Sequence, residues 1–89
     1  MERSFLDLEA RSTAVTAVLP AEDGSITVRL NELAGEDDPV RLRFAEAVAS
    51  AVTTDLLGRE LPSDVRAEGR EVSLTVKRNS IAQLKIELK

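Results

Sequence analysis

Four segments of the chain alternate apolar and polar residues with a period of two. They cover residues 26–30, 40–44, 72–76 and 84–88. Successive side chains of a strand point to opposite faces of a sheet, so this alternation indicates strands with one buried face. The sequence therefore predicts four half-buried strands.

Three further segments have a weaker strand pattern, at residues 5–9, 14–20 and 65–68. Turn signals rich in Gly, Pro, Asp and Ser separate the apolar segments, at 20–25, 34–39, 58, 61–64 and 68–70. Short strands at this spacing are typical of a small antiparallel sandwich. We therefore expect an all-β fold over 1–89, a single β-sandwich domain that is immunoglobulin-like in size and character.

One segment, residues 45–57, does not fit a single pattern. Phe44, Val48, Val52 and Leu56 are spaced four residues apart in an alanine-rich stretch, which suits an amphipathic helix. The β-branched side chains of the two valines and of Thr53 and Thr54 favour a strand instead. The local pattern leaves the two structures equally open.

Composition excludes several classes of function. The net charge of -4 opposes binding to nucleic acid or anionic lipid, which depends on clustered Lys and Arg. No apolar run approaches the roughly 20 residues of a membrane helix. Cysteine is absent, whereas secreted domains of this size are often cross-linked. We expect no nucleic-acid or membrane partner and a cytoplasmic location.

Histidine is missing and aromatic residues are scarce, although both carry much binding chemistry. The chain has no His, the commonest metal ligand and general base, and neither Tyr nor Trp. Phe5 and Phe44 both fall in apolar patterns and are predicted to be core residues rather than stacking platforms for a sugar. We therefore expect neither a catalytic site nor a bound metal or cofactor in this chain.

The stretch "VTTDLLGREL" contains the candidate carboxylate pair Asp55 and Glu60. A glycosidase pair needs a cleft and carboxyl groups about 5 Å apart for retention, or about 6.5 to 9.5 Å for inversion. The favoured interpretation is structural: Asp55 accepts backbone N–H bonds as a strand turns, Leu56 or Leu57 enters the core, and Glu60 is solvated.

Two further charged features have a functional and a structural interpretation. The acidic turns "EDG" at 22–24 and "GEDD" at 35–38 have oxygen ligands suited to calcium but lack EF-hand spacing, so we expect solvated turns. The basic row of Arg29, Arg41 and Arg43 could form one patch that faces acidic groups of a neighbouring domain. A plain solvated sheet face is an equally good interpretation.

Three stretches, "PAEDGSITVRLNELAGEDDPVRLRF", "VASAVTTDLLGREL" and "GREVSLTVKRNSIAQLKIEL", occur in this order at residues 20–44, 48–61 and 69–88, within a similarity that spans roughly residues 14–89. Together they resemble the C-terminal β-sandwich of glycoside hydrolase family 38 α-mannosidases. That family has a P-x-E-D-G turn, a strand with Arg before an aromatic and Glu or Asn, and a later D-L-L-E-R-x-L. The matching positions are Glu22, Asp23, Gly24, Arg29, Glu32, Asp55, Leu56, Leu57, Arg59 and Leu61. Asn31 and Gly58 depart from the family's aromatic and Glu.

The resemblance implies that residues 47–55 form a strand. Family members are retaining enzymes whose catalytic aspartate and zinc site lie in an N-terminal α/β domain. The resemblance therefore implies that this chain is a non-catalytic accessory domain, excised from a larger α-mannosidase-like enzyme, with a Met1 foreign to that enzyme. Its expected partners are the remaining domains, to which Arg29, Glu32, Asp55 and Arg59 would be structural or interdomain contacts.

Two alternatives belong to other classes of protein. One is a carbohydrate-binding module, which the scarcity of aromatic residues opposes. The other is a free-standing β domain that mediates protein–protein association, such as a homo-oligomer formed through an exposed edge strand.

Overall fold

The computed structural model describes residues 6–89, which form nine strands and no helix. These residues accordingly include no helix with the length and hydropathy of a membrane-spanning segment. The strands are β1 Leu6–Glu9, β2 Thr13–Pro20, β3 Ile26–Glu32, β4 Asp38–Phe44, β5 Val48–Thr54, β6 Glu60–Leu61, β7 Arg66–Glu68, β8 Glu71–Val76 and β9 Ile81–Leu88. The all-β prediction is confirmed. Phe5, which was predicted to be a core residue, lies outside the described residues.

The strands form two antiparallel sheets. The first sheet has the order β1-β4-β8-β7, and the second sheet has the order β2-β3-β9-β5-β6. The chain passes repeatedly from one sheet to the other, for example through the loop between β3 and β4. This arrangement confirms the predicted small β-sandwich.

The core lies between the inward faces of the two sheets. In β4, Val40, Leu42 and Phe44 are buried while the intervening Arg41 and Arg43 are exposed, as the alternation predicts. Phe44 is only 2% exposed, so it is the core residue that its pattern indicates. The buried apolar set is Ile26, Val28, Leu30, Val40, Leu42, Phe44, Val48, Val72, Leu74, Val76, Leu84 and Ile86. At roughly 25 cal/mol per Å² of buried apolar surface, this core is the main stabilising contribution.

The ambiguous segment forms strand β5, as the family resemblance implies. Strand β5 pairs with β9 on one side and β6 on the other. The helical spacing has no structural counterpart, because Val52 pairs with Lys85 while Leu56 lies beyond the strand and is 65% exposed. Pairing with two neighbouring strands thus outweighs the helix propensity of the alanines.

Candidate functional site

The carboxylate of Glu32, at the end of β3, is almost fully enclosed, and the residue is 2% exposed. Its oxygens accept hydrogen bonds from Ser12 Oγ at 2.5 Å and, at 2.8 to 3.2 Å, from the backbone N–H groups of Ala34, Gly35, Glu36 and Asn79. These bonds, led by that of the Asn79 N–H, lower the pKa of Glu32 to about 2. Glu32 is therefore a permanently charged acceptor near neutral pH.

Asp38, the first residue of β4, is completely buried. It accepts hydrogen bonds from the N–H of Arg11 at 3.1 Å, the N–H of Ser12 at 2.9 Å and Oγ1 of Thr13 at 2.8 Å. Burial alone raises the pKa of Asp38, but these bonds outweigh it and leave the pKa below its ordinary value. The prediction that "GEDD" is a solvated turn is wrong for Asp38, because the loop between β1 and β2 covers it and supplies donors.

Ser12 joins these two carboxylates into one group of side chains. Its hydroxyl donates to Glu32 and its N–H donates to Asp38. We call Ser12, Thr13, Glu32, Asp38 and Asn79 the buried carboxylate cluster. The cluster connects the β1–β2, β3–β4 and β8–β9 loops, each of which carries the chain from one sheet to the other, so it fastens the two sheets together.

Asp55 organises the turn between β5 and β6. Its Oδ1 accepts bonds from the N–H groups of Leu57 and Arg59, both at 2.9 Å, and its Oδ2 accepts one from Arg59 Nε at 2.8 Å. The Arg59 N–H makes the largest contribution to lowering the pKa of Asp55. Gly58 has a φ of 88°, which a residue with a Cβ rarely adopts, so this turn favours glycine where the family often has Glu. The backbone bonds expected of Asp55 are present.

The two leucines of this turn do not enter the core. Leu56 is 65% exposed and Leu57 is 80% exposed, so the prediction that one of them packs between the sheets is wrong. Asp55 and Arg59 are bonded to each other through both backbone and side chains, which leaves the residues between them at the tip of the turn. Glu60 is exposed, in agreement with the prediction that it is solvated.

A hydrogen-bonded chain crosses the outer face of the second sheet and reaches this turn. Arg29 donates to Oε1 of Gln83 through Nε at 3.2 Å and Nη2 at 2.9 Å. The amide nitrogen of Gln83 donates in turn to Oγ1 of Thr54 at 3.2 Å and to the carbonyl oxygen of Asp55 at 3.0 Å. Strands β3, β9 and β5 are thus connected by side chains as well as by backbone bonds.

The predicted basic row of Arg29, Arg41 and Arg43 does not exist as one patch. Arg29 lies on β3 in the second sheet, whereas the other two arginines lie on β4 in the first sheet. On that opposite face, Arg41 pairs with Glu9 at 3.3 Å and Arg43 pairs with Glu71 at 2.7 Å. The prediction fails because the loop between β3 and β4 crosses from one sheet to the other.

Asp55 and Glu60 lie in different surroundings. Glu60 borders a shallow hollow of about 280 Å³ on the second sheet, and Asp55 is not among its lining residues. The Asp55 carboxylate is occupied by Arg59 and two N–H groups, and its lowered pKa is opposite to what a general acid requires. Within residues 6–89, no three or more His, Cys, Asp or Glu side chains are grouped so that they could hold a metal ion.

A comparison with protein families agrees with the sandwich. The family model described as the glycosyl hydrolases family 38 C-terminal beta sandwich domain matches residues 12–88. This chain belongs to that family. No curated protein and no solved structure matches the chain. Membership rests on nearly the whole sequence and agrees with the resemblance found over residues 14–89.

The structure separates the four predicted site residues of this family 38 domain into two groups. Arg29, Asp55 and Arg59 are connected through Gln83 at the second sheet, whereas Glu32 belongs to the buried carboxylate cluster. A contact of any of them with a neighbouring domain stays a prediction.

Sequence reasoning missed several residues of the buried carboxylate cluster. Ser12 and Asp38 are 26 positions apart, and Asn79 lies 47 positions from Glu32. The sequence contains one local signal for Asn79, which has a φ of 53° in a turn, because Asn adopts this conformation more readily than most residues. The bonds of Ser12 and Asp38 have no such signal, since they arise only when the sheets assemble.

Proposed function

We propose that this chain is a non-catalytic accessory domain at the C-terminus of an α-mannosidase-like glycoside hydrolase, and that it acts by packing against the rest of that enzyme. The observation that carries the proposal is the match of residues 12–88 to a family 38 C-terminal domain. The family description gives the place of such a domain in an enzyme, and packing is the role that this position favours.

The bonding of the carboxylates supports a structural rather than a chemical role. Glu32, Asp38 and Asp55 each accept three or more hydrogen bonds, and the pKa of each is lowered. A carboxylate held in this way serves as a fixed acceptor and is poorly suited to exchanging protons with a substrate near neutral pH. These groups fix the loops, and fixed loops give the domain a defined surface for docking.

Sugar binding is the rival function, and the position of Phe44 opposes it. Phe44 is buried between the sheets, so its ring is not available for stacking on a sugar. Titration of the chain with mannose or mannobiose, followed by amide chemical shifts, should give no localised change. A saturable, localised response at low millimolar sugar would support the binding-module alternative instead.

The experiment that tests the proposal begins with the reading frame upstream of Glu2. Where that frame encodes a family 38 enzyme, the intact enzyme is compared with a form that ends before residue 12. We expect the isolated chain to give no hydrolysis of an aryl α-mannoside, and the shortened enzyme to melt at a lower temperature. Hydrolysis that follows the isolated chain through purification would contradict the proposal, as would identical melting of the two forms of the enzyme.

A further inference from the structure

The exposed apolar side chains are not evenly distributed over the sandwich. Each of them lies on a strand of the second sheet or in a loop that directly follows one. In the described part of the chain they are Leu19, Leu33, Leu56, Leu57, Leu61 and Ile81. Since none of these six lies on a strand of the first sheet, the two sheets present different surfaces.

The outer face of the first sheet is covered with charges of both signs. Its charged residues are Asp7, Glu9, Arg41, Arg43, Arg66, Glu68 and Glu71. The Arg43–Glu71 pair, at 2.7 Å, and the Arg41–Glu9 pair, at 3.3 Å, satisfy several of these charges within the face itself. The centres of protein interfaces are depleted in charged residues, so this face has the composition of a surface in contact with water.

The outer face of the second sheet carries shorter and more apolar side chains. The strand register places Leu19, Thr27, Lys85 and Val52 in one row across β2, β3, β9 and β5. The parallel row contains Ala17, Arg29, Gln83 and Thr54, and its arginine is already bonded to the glutamine. Six of the eight side chains in these two rows carry no charge, which agrees with the depletion of charged residues at the centres of interfaces.

The β5–β6 turn at the margin of this face presents two adjacent leucines in a fixed conformation. Leu56 and Leu57 are exposed, while Asp55 and Arg59 on either side of them are bonded through backbone and side chains. A turn fixed before binding loses little conformational freedom when its side chains enter a pocket. This leucine pair therefore has the properties of an anchor for docking.

We infer that the outer face of the second sheet, with Leu56 and Leu57 as its anchor, is the surface that docks on the preceding domains of the same enzyme. The inference rests on the proposed function and specifies which side of the sandwich performs it. The surface mixes apolar side chains with Lys85 and Glu60, as interfaces between domains of one chain do.

The family description favours a tethered neighbour over a second copy of this chain. It places such a domain at the C-terminus of a glycosyl hydrolase, so under the proposed function the rest of that polypeptide is always close by. A domain joined to its partner in one polypeptide has an effective concentration of about millimolar, so a smaller contact suffices. The preceding domains of the enzyme are therefore the occupant.

Cysteine labelling tests this inference directly, because the chain contains no cysteine. Leu57→Cys places a thiol on the proposed anchor, and Ser73→Cys places one on the first sheet, at an exposed position, as the matched control. Each variant is labelled with a thiol reagent in the 89-residue chain and in the intact enzyme, with the enzyme lacking the new cysteine as the baseline. We expect at least tenfold slower labelling of Leu57→Cys in the enzyme and no change for Ser73→Cys.

The other outcomes separate failure of this inference from failure of the proposed function. Slower labelling of Ser73→Cys alone, or of both variants, would contradict the choice of the second sheet and leave the accessory role intact. Unchanged labelling of both variants in the enzyme would contradict the docking role as well. If labelling of Leu57→Cys in the isolated chain slows as its concentration rises, a second copy is the occupant and the inference is wrong.

Discussion

The buried carboxylate cluster and the Asp55 turn depend on the same type of hydrogen bond but differ in their exposure to water. In both places a carboxylate accepts backbone N–H bonds that would otherwise lack partners. Glu32 is 2% exposed, whereas the side chain of Asp55 is 25% exposed. When a bond is lost at the turn, water can replace it at the Asp55 carboxylate, but the enclosed carboxylate of Glu32 has almost no access to such a replacement. The same type of interaction therefore contributes more to stability in the cluster.

The two regions also differ in how far apart their partners lie along the chain. Asp55 bonds to residues two and four positions away. Glu32 also accepts bonds from N–H groups two to four positions away, but it bonds in addition to Ser12, 20 positions away, and to Asn79, 47 positions away. The turn can form from local sequence alone, whereas the bonds of Glu32 to Ser12 and Asn79 form only when both sheets are in place. Substitutions in the cluster should consequently destabilise the whole sandwich.

Glu32→Gln should have the largest effect. The side chain keeps its size, but an amide NH₂ replaces one carboxylate oxygen and cannot accept the bonds that this oxygen accepts. We expect the melting temperature at pH 7 to fall by about 15 °C or more. Thermal unfolding followed by circular dichroism measures this. Glu22→Gln, at an exposed turn position, is the control and should melt close to the wild type. Equal melting of the two variants would show that the cluster contributes no stability.

Acid should weaken the cluster in a defined range of pH. The pKa of Glu32 is about 2 in the folded protein, below its value of 4.5 without these bonds. A lowered pKa in the folded state means that the stabilisation is fully present above pH 4.5 and is lost as the pH falls towards 2. The melting temperatures of the wild type and Glu32→Gln should therefore converge over this range. A gap that stays constant down to pH 2 would contradict the assignment to Glu32.

Local patterns in the sequence explain why the turn was predictable and the cluster was not. The bonds of Asp55 follow from its position before a short turn with a glycine. Strand β6, only Glu60–Leu61, was not predicted, because it is defined by pairing with Thr53 and Thr54 rather than by an alternation of its own. Asp38 stands in an acidic, turn-like stretch, and its burial depends on donors from the loop between β1 and β2.

The alternation of apolar and polar residues likewise does not predict which sheet each strand joins. Alternation indicates which side chains of β3 and β4 face inward, and those predictions are confirmed by the buried residues of both strands. It does not tell whether adjacent strands belong to one sheet. Arg29 and Arg41 therefore seemed to share a surface, although they lie on opposite faces of the sandwich.

Asp55→Ala should have an intermediate effect. The substitution removes the acceptor of the Leu57 and Arg59 N–H groups and of the Arg59 side chain. Because water can reach these donors, we expect the melting temperature to fall by about 5 to 10 °C, less than for Glu32→Gln. Thermal unfolding at pH 7 measures the change. A fall as large as that of Glu32→Gln would show that exposure does not weaken this kind of interaction.

Glu60→Ala should have the smallest effect, because Asp55 organises the turn whereas Glu60 only borders it. Glu60 is exposed, and we expect the melting temperature to change by no more than about 3 °C, as is usual for surface substitutions. If Asp55 and Glu60 were instead a working pair held close together, their like charges would repel, and removing either charge could raise the melting temperature. Melting of the two single variants beside the wild type, at neutral pH and low salt, separates these cases. A clear rise for both would support a catalytic pair, whereas a fall for Asp55→Ala with no change for Glu60→Ala supports the structural turn.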